Sequence, residues 1–426
     1  MVLHVEDSVI HSHELEGQIG LELETYRVKA DGTLARTEHP FPGDAHIVKD
    51  YSEDQVEINT SPENSPEKSV EQLTGYLKIV QNRLLDTKSG ETLWPFSKPP
   101  YLRGEEDIRI AQYHGEERKS TIYREYLSER YGRYKMTYSG IHFNYSFAEE
   151  LIKRNFELDG GSDYREYKNK FYLELAEKTV AYGWALVPLM AASPLIDSSF
   201  YEKDRLGDTE FIGFASLRCS ELGYWNHFTP VFEYTSINAY ADSMERYVRD
   251  GILKAARELY YPVRLKPSGK YTLEGLRERG IDHIEFRMVD LNPFAKSGIE
   301  VTDVAFMQLF FIWLSAIEIK SLTCGDQIQA VQNFKSSARY DISLAKIAKR
   351  DGSSVSVKTA LDEVLSDMEK YFDRYSDEVK KILEYQRNKL EKPQERYAYQ
   401  VRQRFGKDYV KRGLEFAYRR QEEIHV

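Results

Sequence analysis

The stretch Gly20-Leu21-Glu22-Leu23-Glu24 constrains this chain more than any other. A strand sends successive side chains to opposite faces. As a strand, this one puts Ile19, Leu21 and Leu23 on one face and Glu22 and Glu24 on the other. Two carboxylates side by side repel, so that polar face either stays in water or closes around a cation. The two-residue period returns in Gln55-Val56-Glu57-Ile58-Asn59, with Asp50 just upstream. It returns again in Tyr138 to Ser146, where Gly140, His142, Asn144 and Ser146 oppose Ile141, Phe143 and Tyr145. In Ile281 to Asp290, His283, Glu285 and Arg287 oppose Ile284 and Phe286. One such strand is the ordinary solvated face of an antiparallel sheet, and His142 alone reads more often as a structural histidine. Several of them, with Glu22, Glu24, Glu57, His142 and Glu285 at their centres, point to a metal-centred site inside a curved sheet, which Asp50 joins if the chain curves inward.

Other stretches supply helices and connections. Residues 1–18 read as a solvated leading segment despite His4, His11 and His13. Asp31-Gly32 is a turn signal that folds the first strand back through Thr33-Leu34-Ala35. Ser65 and Pro66 open a helix as N-cap and first helical residue, with Val70, Leu73, Leu77, Val80 and Leu84 at helical spacing. Leu93-Trp94-Pro95 to Tyr101 reads as a rigid Pro-rich connection. Glu116 to Tyr131 reads as a helix whose Tyr123-Arg124-Glu125-Tyr126 is either a solvated face or one wall of a pocket. Met244 to Leu259 is expected to be helical, and Tyr260 to Lys266 alternates so that Arg264 and Lys266 share a face. Beyond Val301 the chain is mostly helix, with Asp303 as a cap.

At 426 residues the chain is expected to form one catalytic unit over 1–426, with a sheet core about 18–300 and a helical part about 301–426. A net charge of -10 argues against general nucleic-acid binding. The most apolar stretch, Val304 to Ile319, is interrupted by Gln308 and Glu318 and too short for a membrane span. No basic start followed by an apolar run opens the chain, so a cytoplasmic location is expected. Cys219 and Cys324 give neither a disulfide framework nor a cysteine metal site, and both are expected to be buried, inert thiols.

Oxygen-rich ligand sets suit Mg²⁺ or Mn²⁺, and a histidine is compatible with either. Four or five carboxylates carry more charge than one divalent ion offsets, which favours two or three ions. Arg218, Arg264, Lys266 and Arg287 supply cations. Arg218 reads either as a surface ion-pair partner or as a clamp for an anionic ligand. Metal ions plus cationic side chains equip phosphoryl transfer. There is no Gly-x-x-x-x-Gly-Lys-Ser/Thr loop and no Gly-x-Gly-x-x-Gly. Spacing alone therefore reaches metal-dependent phosphoryl or carboxyl chemistry.

Seven motifs carry a resemblance. They are Gly-Leu-Glu-Leu-Glu-Thr at 20–25, Asp50 to Glu57, Leu93-Trp94-Pro95 with Pro99, and Ser139 to Asn144; then Ser216-Leu217-Arg218 with Leu222-Gly223-Tyr224, Leu259-Tyr260 with Pro262 and Arg264, and Ile284 to Arg287 with Asp290 and Asn292-Pro293-Phe294. In this order, over roughly 18–300, they resemble the bacterial glutamate–cysteine ligases, most of all the ligase half of the bifunctional glutathione-synthesising enzymes. Any one motif is weak; the ordered set is specific.

The resemblance implies an α+β, glutamine-synthetase-like fold with a curved, mainly antiparallel sheet. It also implies an activity: ATP phosphorylates the γ-carboxylate of L-glutamate, and the amine of L-cysteine displaces phosphate. By motif position Glu22, Glu24, Asp50, Glu57, His142 and Glu285 are the metal ligands, for Mg²⁺ or possible Mn²⁺. Arg218 holds glutamate, Arg287 meets the transferring phosphate, Tyr224 and Tyr260 line the cysteine pocket, and Arg264 and Lys266 lie near the nucleotide phosphates or at the pocket rim. The ATP-grasp half of the fused enzymes has no counterpart here, so the second step is expected to be absent, with a separate glutathione synthetase as a possible partner. Met136-Thr137-Tyr138 departs from the family's usual Gln-containing run, with the Tyr138 hydroxyl as a replacement contact. His283 stands where an aromatic is common. These departures leave two alternatives to cysteine ligation: a γ-glutamyl ligase for another amine, and a silent binding homologue.

Overall fold

The computed structural model describes residues 2–201 and 205–425. Its axis is β1 (Gly17–Lys29). Ile19, Leu21 and Leu23 are at most 2% exposed, so a one-residue slip would turn the acids into the core. Six more strands build the main sheet: β2 (Ile47–Lys49), β3 (Gln55–Asn59), β4 (Glu91–Trp94), β5 (Ile141–Phe147), β6 (Val263–Lys266) and β7 (His283–Val289). Their order is β2-β3-β1-β5-β7-β6, with every pair antiparallel. β3 pairs with residues 22–26 of β1, β5 with 17–23 and β4 with 26–29. Because β3 overlaps both of the others, β4 and β5 must share the opposite edge of β1 end to end. Between β5 and β7 the register shifts: Phe143 faces Phe286 while Ile141 faces Val289, so β7 carries one extra residue.

The apolar face rests on helices. α1 (Pro66–Asp86) begins as expected, with Ser65 Oγ accepting the Lys68 N–H. α2 (Arg118–Tyr131) stands over the polar face. α3 (Val301–Ala316) is apolar all round and buried nearly throughout, as a central core helix should be. Phe311 of α3 stacks 5.8 Å from Phe143 and 6.0 Å from Tyr145, ring centre to ring centre. Among the described residues no helix is long and apolar enough to cross a membrane.

Several expectations are corrected. Leu93-Trp94 is part of β4, paired with Tyr26 and Arg27, rather than a bare connection. Of the leading segment, residues 2–18 are docked rather than solvated: Leu3 and Ile10 are buried, and Glu14 accepts hydrogen bonds from Tyr371 and Tyr375. The helix expected over Met244 to Leu259 is Ile237–Arg249, ended by Gly251 at positive φ. Lys346–Ala348 and Ser354–Ser356 form a small hairpin inside the expected helical part. Cys219 is buried, and burial pushes its thiol up to about 12, but Cys324 is exposed.

Asp303 is no cap; Glu300 holds that position. Asp303 is buried against α4 (Asp377–Glu391) and α5 (Tyr397–Phe405). It accepts from Lys389 Nζ at 2.7 Å, Gln386 Nε2 at 2.8 Å and the Tyr397 hydroxyl at 2.6 Å. Removing one partner of a buried pair strands the other charge. Asp303→Ala is therefore expected to lower unfolding free energy by about 3–5 kcal/mol in urea titrations, and Lys389→Met in that background should recover part of the loss.

Candidate functional site

The strand registers carry the polar residues into one band across the sheet. Glu57 on β3 faces Glu24 on β1, and Glu22 faces His142 on β5. Asn144 faces Glu285 on β7, which faces Arg264 on β6. The band floors a cavity of about 290 Å³. Every candidate from the sequence lines it: the six proposed ligands, Arg218, Arg264, Lys266, Arg287, and Tyr138, Tyr224 and Tyr260. Asp50 arrives from the β2–β3 turn. The remaining wall was not assigned from sequence. Tyr123, Arg124 and Leu127 come from α2, which settles that helix as a pocket wall, and Tyr51, Met136 and Arg257 come from connecting segments.

The acids fall into two groups. Ligand atoms of Glu22, His142 and Glu285 lie within 4.8 Å of one another. His142 Nδ1 is 3.0 Å from Glu22 Oε2 and 3.3 Å from Glu285 Oε1. Asn144 Nδ2 donates to Glu22 Oε1 at 3.0 Å. Arg287 donates to Glu285 Oε1 at 2.6 Å, and Lys266 Nζ lies 3.4 Å from Glu285 Oε2. Burial and the Glu285 charge push Glu22 up, but Lys266 and His142 outweigh them and hold it at about 2. Burial opposes ionisation of Glu285 too, yet Arg287, Lys266 and Arg264 keep it well below the usual carboxylate range. His142 is raised: burial and Arg287 push it down, and the carboxylates around it more than offset that.

Glu24, Glu57 and Asp50 form the second group, in which His142, 3.7 Å from Glu24, and Arg218 and Arg287 offset only part of the charge. Burial and then Asp50 raise Glu24 to about 7. Burial, Asp50, Glu22 and Glu24 together raise Glu57 well above its ordinary value. Half-buried carboxylates that repel one another, beside the buried Glu285 whose Oε2 has no hydrogen bond, form a donor set that suits a hard divalent cation.

Two motif glycines are explained by close approach. A Cβ on Gly140 would lie 2.4 Å from Arg218 Nε, and one on Gly223 would lie 1.8 Å from the Arg218 carbonyl oxygen. The packed Arg218 donates to the Arg287 carbonyl at 2.5 Å, and its Nη2 is 3.4 Å from His142 Nε2.

The fold of this chain is shared with known proteins. The family model described as glutamate-cysteine ligase matches residues 5–250 and 228–336. The chain belongs to the glutamate–cysteine ligase family. It is 35% identical over 379 residues to a glutathione biosynthesis bifunctional protein of Clostridium perfringens, covering 86% of this chain and 48% of that one. It is 30% identical over 464 residues to a glutamate–cysteine ligase of Clostridium acetobutylicum, covering 94% of this chain and 95% of that one. The chain thus spans about half the length of the bifunctional relatives. A crystal structure of a bifunctional glutathione synthetase from Pasteurella multocida superposes with a TM-score of 0.85 at 26% identity, over 100% of this chain and 55% of that one. The fold is also that of a Francisella tularensis glutamate–cysteine ligase solved in complex with AMP, at a TM-score of 0.86 and 23% identity over 96% of this chain and 89% of that one.

The pH dependence of the metal-free protein follows from Glu24. Its folded-state value of about 7 lies above the ordinary 4.5. Its contribution to stability is therefore complete below the lower value and lost as pH rises through the upper one. In urea unfolding with a chelator present, wild type is expected to lose up to ~3 kcal/mol relative to Glu24→Gln between about pH 5 and pH 8. Added divalent cation should restore wild type at the upper pH.

Proposed function

We infer that this chain ligates the γ-carboxylate of L-glutamate to the amine of L-cysteine at the expense of ATP, giving γ-glutamylcysteine, the first step of glutathione biosynthesis. One observation supports this above all: a glutamate–cysteine ligase family member carries the Glu22, His142 and Glu285 group within a single cavity beside Arg218 and Arg287.

In this reading a γ-carboxylate oxygen attacks the terminal phosphorus of ATP, and the bond to the bridging oxygen breaks so that ADP leaves with the electron pair. The amine nitrogen then bonds to the acyl carbon, the carbon–oxygen bond to phosphate breaks, and the nitrogen gives up a proton. Glu22, His142 and Glu285 would hold one Mg²⁺ and Glu24, Asp50 and Glu57 a second, with room in the donor set for a third ion or for Mn²⁺. Bound there, the cations supply charge neutralisation of the phosphate chain. Arg218, pinned from behind by Gly140 and Gly223, orients glutamate by its carboxylate. Arg287 shares its guanidinium between Glu285 and the phosphoryl group in transit, where negative charge grows. Arg264 and Lys266 hold phosphate oxygens, and Tyr138, Tyr224 and Tyr260 enclose the acceptor and exclude water from the acyl phosphate. The reading puts the chain in the cytoplasm, with a glutathione synthetase activity as the consumer of its product.

The test is ADP release with Mg²⁺, ATP and glutamate, screened over cysteine, 2-aminobutyrate and simple amines. Cysteine is expected to be the preferred acceptor; another amine succeeding where cysteine fails would overturn that assignment, and no ADP release with any amine would overturn the ligase. Glu57→Gln and Glu285→Gln are each expected to cut turnover at least ~100-fold while near-UV circular dichroism is unchanged. Arg218→Ala is expected to raise the glutamate KM at least ~10-fold and leave the ATP KM within ~2-fold.

A further inference from the structure

Six cationic side chains line the cavity, and five have partners within the protein. Arg218 bonds the Arg287 carbonyl, and Arg287 bonds Glu285. Lys266 lies 3.4 Å from Glu285 and 3.7 Å from Glu22. Arg264 donates to the Leu259 carbonyl at 2.9 Å, and Arg124 donates to the Asp50 carbonyl at 2.6 Å. Arg257 differs. Among the described residues its side chain has no hydrogen bond and no ion pair. Its guanidinium lies over the ring of Tyr123, 3.7 Å from the ring centre. A guanidinium stacked on a ring keeps the N–H donors along its edge free for a carboxylate or phosphate.

Its surroundings repeat the pattern. The Tyr123 hydroxyl is buried and has no hydrogen-bond partner, and the buried Tyr260 hydroxyl has only the neighbouring Tyr224 hydroxyl to turn to. Arg257, Tyr123 and Tyr260 stand on α2 and the turn that leads into β6, off the acidic band. The Arg257 guanidinium and the Tyr123 hydroxyl, donors with nothing to accept from them, complement a group that only accepts, and an ionised carboxylate is such a group. Leu127 and Met136 line the same cavity and suit a short, weakly polar side chain. The sheet cations Arg264, Lys266 and Arg287 gather instead around Glu285, beside the group that can hold a metal, where a phosphate chain belongs.

We propose that Arg257 recognises the carboxylate of the amine acceptor and makes this chain select α-amino acids over simple amines. The inference rests on the ligase reading and adds to it a residue that discriminates among acceptors. A nucleotide phosphate offers the same anionic oxygens, so the test separates the two.

Cysteine and cysteamine share the thiol and the amine and differ in the carboxylate. With the full-length protein, wild type is expected to favour cysteine strongly in kcat/KM. Arg257→Gln should lower kcat/KM for cysteine about 10–100-fold, chiefly through KM, because a charge-assisted hydrogen bond is lost. The same variant should leave cysteamine, glutamate and ATP within about 2-fold, and Arg257→Lys should recover part of the preference. Two outcomes overturn the inference and leave the ligase standing: an unchanged cysteine-to-cysteamine ratio with a raised ATP KM, which would make Arg257 a phosphate contact, and unchanged kinetics throughout. If wild type prefers another amino acid, the comparison is made between it and its decarboxylated form. A wild type that turns over no acceptor overturns the ligase reading and this inference together.

Discussion

Mutual repulsion among buried carboxylates is the constraint around which the rest is arranged. Five acids and a histidine are held in one small cavity, and a protein interior penalises every charge that lacks a partner. The structure answers unevenly. Around Glu285 it places Arg287, Lys266 and Arg264, delivered by β7 and β6. Around Glu24 it places His142, Arg218 and Arg287, which do not outweigh burial and Asp50, and Glu24 and Glu57 resist ionisation. One half of the band is neutralised by the fold, and the other is left for what binds. That asymmetry separates a site built to receive cations from a solvated acidic face.

Holding the acids against their repulsion requires a rigid backing. β1 is paired along both edges, by β3 on one and by β5 and β4 on the other. Beneath it lie α1 and the largely apolar α3, which is tied to the C-terminal helices through Asp303, Lys389 and Tyr397. The leading segment is drawn into the same body by Glu14. Among the described residues none beyond Arg287 lines the cavity, and the place of that part of the chain is in the support of the sheet.

The band was legible in the sequence because strand alternation is local: Glu22, Glu24, Glu57, His142 and Glu285 announce their shared face with a two-residue period. The off-sheet wall was not legible. Tyr123, Arg124 and Arg257 sit on a helix and a turn whose orientation depends on packing, and a charged helix reads the same whether it faces water or a cleft. Leu93-Trp94 was misread because the neighbouring prolines signal a connection, whereas pairing depended on the edge that β5 leaves open beyond Leu23. Asp303 looked like a cap because an acid in a first turn usually serves the helix end; its partners lie about 80 residues further on, at Gln386, Lys389 and Tyr397. The small hairpin around Lys346 has strands too short for any period to be seen.

The extra residue in β7 changes the phase of the strand. Without it, alternation would carry Val289 to the same side as Glu285 and Arg287. With it, Val289 returns to Ile141 and the core. Asp290 then reaches the Ser193 and Ser216 hydroxyls at 2.7 and 3.0 Å and the Ala192 N–H at 2.9 Å. The segments that bring Arg218 to the cleft are thereby hung on a carboxylate one step past the irregularity. Chemistry and scaffold share a single frame here, like two texts read from one ribbon. A one-residue deletion between Glu285 and Asp290 would shift both at once, so this short run tolerates replacement of letters far better than a change in their number.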